Sequence, residues 1–212
     1  MPTGNIQTAP FGGLMEAIVS GDEDTAIRLL EASPQLAKAR ATQGSTRQAP
    51  KQYFYDRIRH YMYVGDSALH MAAAAIQPLV VEKLIATGAD IRARNRRGAE
   101  PLHYAVDGGP GSPAWNPNAQ AKIIAMLIGA GADLNAVDKS GVAPLHRAVR
   151  NRCAVAVRAL IDHGADLRVP NRNGSTPMLL ATQNTGKSGS GSANAKAQQQ
   201  EILRLLKAHG AV

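Results

Sequence analysis

His70, His103 and His146 follow the same short motif, and recurring histidines are candidates for metal binding or acid–base work. Their spacing argues against both. Intervals of 33 and 43 residues put each histidine in its own structural unit, so stacked units would form a ladder of imidazoles rather than a cluster. His60 is a different case. It sits near Asp56 among tyrosines, a set that could supply acid–base groups to an enzyme, but nothing in the sequence sets their geometry. "ATQNTGKS", residues 181–188, nearly spells a phosphate-binding loop. Ala181 stands where that loop needs glycine, the preceding residues read as helix, and "GSGSAN" follows where a helix should start. Cys153 is the only cysteine, which rules out an internal disulfide, and it reads as a small apolar filler at a turn. No helical zinc-ligand spacing occurs. The expectation is therefore no catalytic residue, no cofactor and no metal.

The elements behind these residues emerge from self-similarity. Four segments begin at Gly65, Gly98, Gly141 and Gly174, at intervals of 33, 43 and 33 residues. Pro101, Pro144 and Pro177 stand where a first helix should start, a position that tolerates a missing N–H. Ser67 and Thr176 can cap free amides there, whereas Glu100 and Ala143 are weaker caps. A second helix should end at Gly88, Gly131, Gly164 or Gly210. Counting back four and seven residues gives Leu84 and Val81, Leu127 and Ile124, Leu160 and Val157, Leu206 and Leu203, the apolar stripe of an amphipathic helix. Polar, turn-rich stretches such as "ADIRARNRRGAE" then read as hairpin-like fingers.

The motif appears as "SALHMA", "EPLHYA", "APLHRA" and the divergent "TPMLLA", each in register with a closing "GAD" or "GAV". On these residues the sequence resembles the ankyrin repeat family. The resemblance implies an all-α repeat solenoid of about five helix pairs with finger hairpins and three insertions. It also implies that the motif histidines make structural hydrogen bonds between neighbouring repeats. One domain is expected over 1–212. It comprises a degenerate opening repeat at 11–40, an aromatic and basic insertion at 41–64, and repeats at 65–97, 98–140, 141–173 and 174–212. In the opening repeat the helices should run from about Gly13 to Val19 and from about Asp22 to Ala32.

The insertions break the pattern and so carry the most information. "KQYFYDRIRHYMY", residues 51–63, holds five of the chain's eight aromatic residues. Phe54, Ile58, Tyr61 and Met62 fall at helical spacing, which predicts a short helix leading into a strand at Tyr61–Gly65. Phe54, Ile58 and Met62 should pack on the stack, with Tyr55, Arg57, Arg59 and Tyr63 facing outward. The second insertion, 108–118, has three prolines around Trp115, which should fold back onto neighbouring helix ends. The third, 185–197, is rich in glycine and serine, and residues 186–194 should be mobile.

The formal net charge of +8 is unevenly spread. Residues 38–64 carry six basic groups against Asp56, and 141–173 carry six arginines against two aspartates, while 65–140 balance at seven each. Such patches attract an acidic protein, a nucleic acid or another polyanion. The start of the chain lacks a signal-peptide pattern and no run suits a membrane span, so the expected setting is cytoplasmic. The family resemblance implies a non-enzymatic scaffold that binds a protein partner, of acidic character if the patches take part. The position after each motif histidine should line a concave face: Met71, Tyr104, Arg147 and, in the last repeat, Leu180. Arg94, Arg96, Lys139 and Arg172 on the finger tips, with Tyr55, Arg57, Arg59 and Tyr63, complete the expected contact set. Binding of nucleic acid through the basic patches is the alternative.

Overall fold

The computed structural model describes residues 9–49, 51–110, 115–183 and 192–211. Most of the 186–194 stretch, for which mobility was expected, and most of the near phosphate-loop sequence therefore lie outside the described residues. Five helix pairs follow one another: α1 (Ala9–Ser20) with α2 (Glu23–Ala32), α3 (Ala68–Ala74) with α4 (Pro78–Ala86), α5 (Pro101–Ala105) with α6 (Pro117–Gly129), α7 (Pro144–Arg150) with α8 (Ala154–Asp162), and α9 (Pro177–Thr182) with α10 (Ala193–Ala208). The first helices pack on one another as an inner row and the second helices as an outer row. No single pair could bury its own apolar stripe, but in the stack one continuous core forms. It is built of small aliphatic side chains, with Ala72, Ala73, Ala148 and Ala156 fully buried where backbones approach closely.

The three histidines tie the inner row together and are wholly buried. Each imidazole Nδ1 accepts the backbone N–H of the residue that caps its own helix: Ser67, Glu100 and Ala143, each at 3.1 Å. Each Nε2 donates to a carbonyl of the next finger: Ala99 at 3.1 Å, Val142 at 3.0 Å and Ser175 at 3.2 Å. Nδ1 as acceptor and Nε2 as donor define one neutral tautomer. Burial holds His70 and His146 below the ordinary range and pushes His103 down to about 4. In the last repeat Leu179 takes the histidine position, and Thr176 Oγ1 accepts the Leu179 N–H at 3.2 Å instead.

The fingers share one local device. Asn95 Oδ1 accepts from the N–H groups of Arg97 and Ala99, Asp138 Oδ1 from those of Ser140 and Val142, and Asn171 Oδ1 from those of Asn173 and Ser175. A side-chain oxygen two residues back thus closes each tip without a long strand. The first finger has no such residue. Its stem forms at the bridge between Arg40 and Ser67, with Ala41 N–H bonded to the Asp66 carbonyl and Gly65 N–H to the Ala41 carbonyl. The insertion sits between those stems.

The insertion contains a β-hairpin where a helix was expected. A short 3₁₀ turn at Lys51–Tyr53 leads into β1 (Phe54–Tyr55), which pairs antiparallel with β2 (His60–Tyr61) in the register Phe54↔Tyr61 and Tyr55↔His60. The tilted contact of the Phe54 and Tyr61 rings, centroids 4.7 Å apart and planes at 51°, is a cross-strand aromatic pair that a helix would not offer. The pairing extends through Met62 N–H to the Tyr53 carbonyl and Ser45 N–H to the Met62 carbonyl. Gly44 permits that closeness, since a Cβ there would lie 2.5 Å from the Tyr63 carbonyl carbon. The expected division of side chains changes accordingly. Met62 and Tyr53 are buried, Phe54, Ile58, Tyr55 and Tyr63 are half-buried, and Arg57 and Arg59 are exposed.

Candidate functional site

The hairpin does not stand away from the stack. It reaches from Gly21 after α1, over which Arg57 packs, to α5, where the His60 ring covers Tyr104. Met71 and Tyr104 are fully buried and Leu180 nearly so, which corrects their expected exposure. Tyr104 is sandwiched between two histidines. The His60 ring lies above it at 4.3 Å between centroids, and His70 meets it edge-on at 4.9 Å. Its hydroxyl donates to Asp66 Oδ2 at 3.0 Å and accepts from Asn95 Nδ2 at 2.8 Å. Asp66, also buried, accepts from Asn95 Nδ2 through Oδ1 and from Tyr63 N–H through Oδ2. Burial and the Asp66 carboxylate push the Tyr104 hydroxyl well above the usual phenol range, which keeps it a neutral donor.

Beside this cluster runs a charged chain. His60 Nε2 is 3.0 Å from Asp107 Oδ2, and His60 Nδ1 is 2.8 Å from the Tyr61 carbonyl. Arg147 reaches the same Asp107 Oδ2 at 2.9 Å and Asp138 Oδ2 at 3.2 Å. The side chains of Arg147, Asp107 and Asp138 are only 16%, 19% and 6% exposed, so solvent screens them weakly. Burial alone would raise the Asp107 carboxyl, but Arg147 and His60 outweigh it and hold the group down at about 2. Asp138 follows the same logic: burial is outweighed by two backbone N–H groups and Arg147. Burial likewise works against the Arg147 guanidinium, yet the two carboxylates keep its proton more tightly held than usual.

Past the hairpin tip a groove of about 980 Å³ remains open. Ile58 to Tyr61 form one wall, finger residues 95–99 and 138–142 the other, and Asp107 to Gly109 with Arg147 to Arg152 the floor. Asp107 and Arg150 occupy the floor because each follows the concave position of its helix by three residues, on the same face. That spacing was the available sign in the sequence, and the reading of motif positions alone missed it. It also missed that His60 pairs with Asp107; Asp56 is exposed in the hairpin turn instead.

The remaining expected contact residues divide by engagement. Arg94 bonds Glu100 at 3.2 Å and the Val137 carbonyl at 2.6 Å, and Arg96 donates to the Ser45 carbonyl at 2.6 Å, so both work within the fingers. Arg57 packs its guanidinium over Gly21, at the turn after α1. Tyr63 accepts from Arg97 at 3.0 Å and lies under its guanidinium. Lys139, Arg172 and Arg59 are exposed, and among the described residues their side chains have no hydrogen-bond or ion-pair partner. Trp115 is half-buried, donating to Gln120 Oε1 at 2.7 Å, which in turn anchors Cys153 Sγ at 3.2 Å. Among the described residues no group of three or more His, Cys, Asp or Glu could hold a metal ion, and no helix is long and apolar enough to cross a membrane.

Comparison with known proteins agrees with this architecture. Residues 114–212 match the family model described as ankyrin repeats (3 copies), and residues 64–96 match that of a single ankyrin repeat. No curated protein matches the chain.

Proposed function

The chain belongs to the ankyrin repeat family, whose members are generally protein–protein interaction modules, and on that premise we propose that it binds a protein partner in the open part of its concave groove. The supporting observation is the hairpin at Phe54–Tyr61, which occupies the inner row as far as α5 and leaves free the groove walled by its own tip and the fingers at 95–99 and 138–142. A partner reaching the concave side meets Arg59, Arg97 and Arg150 there, while Lys139 and Arg172 stand on the finger tips outside the groove. The hairpin then acts both as cover for Tyr104 and as one wall of the binding surface. In this reading the protein is a cytoplasmic scaffold rather than an enzyme.

The test is affinity capture from a native lysate treated with nuclease, using the wild type and Ser140→Trp. Ser140 is exposed on the groove wall and its side chain carries no hydrogen bond among the described residues. The expected result is one protein recovered stoichiometrically by the wild type and lost with Ser140→Trp at unchanged melting temperature. Equal recovery by both forms refutes groove binding, and recovery that vanishes on nuclease treatment favours a nucleic acid.

A further inference from the structure

Five arginines and two aspartates line the groove, and their engagements differ. Arg147 is bonded to both aspartates. Arg152 donates to the carbonyls of Ala181 and Gln183. Arg97 leans on Tyr63. Arg59 and Arg150 have no hydrogen-bond or ion-pair partner among the described residues. The two carboxylates, in contrast, are already compensated: Asp107 by His60 and Arg147, Asp138 by Arg147 and two backbone N–H groups. The field offered to an incoming group is therefore positive. Its two unengaged sources stand on different elements, Arg59 at the hairpin tip and Arg150 at the end of α7.

We propose that this groove takes a short acidic peptide segment of the partner, with one carboxylate met by Arg59 and another by Arg150. The inference rests on the protein-binding reading above and narrows it to a chemistry. The floor spans two neighbouring inner helices, α5 and α7, and two helices each about 10 Å across make that roughly 20 Å, or about six extended residues. Ile58, Ile76 and Val142 give the segment apolar surface between its charged ends. A nucleic acid fits less well. Its evenly spaced phosphates need a continuous basic track, and here Arg147 and Arg152, between the two unengaged arginines or beside them in the lining, are already committed to other partners. Guanidinium groups suit carboxylates because they offer two parallel N–H donors in one plane.

The experiment is selection of random eight-residue peptides displayed on phage, followed by fluorescence anisotropy with the enriched peptide carrying fluorescein. Binding is compared for the wild type, Arg59→Glu, Arg150→Glu, and the control pair Lys139→Glu and Arg172→Glu on the finger tips. The expected outcome is enrichment of peptides with at least two acidic residues. Each groove variant should weaken their binding at least about tenfold, and the finger-tip variants less than about twofold. Arg59 and Arg150 are exposed, and thermal melting checks that their variants stay folded. Enriched peptides that lack acidic excess, or that lose affinity equally with the finger-tip variants, overturn the inference while leaving protein binding intact. Tighter binding of a fluorescein-labelled oligothymidylate than of any selected peptide overturns it in favour of a polyanion. Selection that enriches nothing also overturns it, and the reading beneath it fails as well if Ser140→Trp does not change capture from lysate.

Discussion

His60 Nε2 lies 3.0 Å from Asp107 Oδ2, a contact that joins the hairpin of the first finger to the end of an inner helix 47 residues further along the chain. The same carboxylate oxygen takes Arg147 from the following repeat. Asp107 is thus the point where the insertion and two successive repeats are tied together. Its loss and that of His60 should differ in kind. Removing His60 frees the hairpin tip, whereas removing Asp107 also leaves the largely buried Arg147 guanidinium with Asp138 as its one remaining carboxylate.

Asp107→Ala should therefore destabilise the fold by about 3–5 kcal/mol, the usual cost of breaking a buried pair from one side. His60→Ala should cost about 1–2 kcal/mol, mostly a charge-assisted hydrogen bond. Urea denaturation of both variants checks the order. His60→Ala should in addition speed proteolytic cleavage in the hairpin turn, at Arg57 or Arg59, before the helices are cut. Equal costs, or a turn no more sensitive than in the wild type, would show that the contact does not hold the hairpin down.

Acid should destabilise the protein in two stages. His103 is held at about 4 against an ordinary 6.5, so the unfolded chain binds its proton first. The stability this histidine allows is complete above about 6.5 and is lost as pH falls toward 4. At 1.36 kcal/mol per unit this is about 3 kcal/mol, and His70 and His146 act in the same direction. Asp107 works in the lower window. Its pKa, about 2 against 3.8, gives stability that is complete above the ordinary value and lost as pH falls toward 2. Urea midpoints at pH 7, 5.5 and 4.5 should decline steadily, and His103→Gln should flatten that decline even if it lowers every midpoint. A slope unaffected by this substitution would mean that the ladder is not the source of the acid sensitivity.

Much of the fold was legible because repeat architecture writes its landmarks locally. Pro101, Pro144 and Pro177 start inner helices and Gly164, with φ of 89°, ends an outer one, so the register could be read without knowing any contact. The histidines were legible in part: regular spacing makes them a ladder, and the family resemblance implied the bonds between repeats that each Nε2 makes. The insertion was harder. Phe54, Ile58 and Met62 satisfy a helical period, but the neighbouring tyrosines satisfy a period of two, and aromatic pairing across Phe54 and Tyr61 decides for strands. Where the hairpin would lie depends on Tyr104 and Asp107, contacts too distant in sequence for any local pattern to reveal. Covering by the His60 ring of the hairpin is also why Tyr104, a reasonable surface candidate on repeat position alone, is buried.

The hairpin's own packing gives a graded expectation. Met62 is buried in the common core, while Phe54 and Ile58 are only partly covered. Met62→Ala should cost about 2–5 kcal/mol, as for other core truncations. Phe54→Ala and Ile58→Ala should each cost about 1–2 kcal/mol, and Arg59→Ala should stay within about 0.5 kcal/mol. Thermal melts of the four variants rank them. Three equal losses for Met62, Phe54 and Ile58 would favour a helical stripe over the observed pairing.

Cys153 offers a probe of how the stack opens. Its side chain is fully buried at the turn before α8, with Sγ 3.2 Å from Gln120 Oε1, and burial pushes the thiol up to about 11. Only the thiolate reacts with an alkylating reagent. At pH 8 about one thiol in a thousand is ionised in the folded state, against about one in ten at the ordinary value of 9.0. Iodoacetamide should therefore label Cys153 only through opening of the repeats around it. The labelling rate in low urea should rise with the same denaturant dependence as global unfolding, since Cys153 touches Gln120 across the repeat boundary and neither repeat can expose it alone. The same rate should be little changed by His60→Ala, because Cys153 is held by Gln120 and does not line the groove walled by the hairpin tip. Fast labelling that is insensitive to urea would mean that the α7–α8 turn opens by itself.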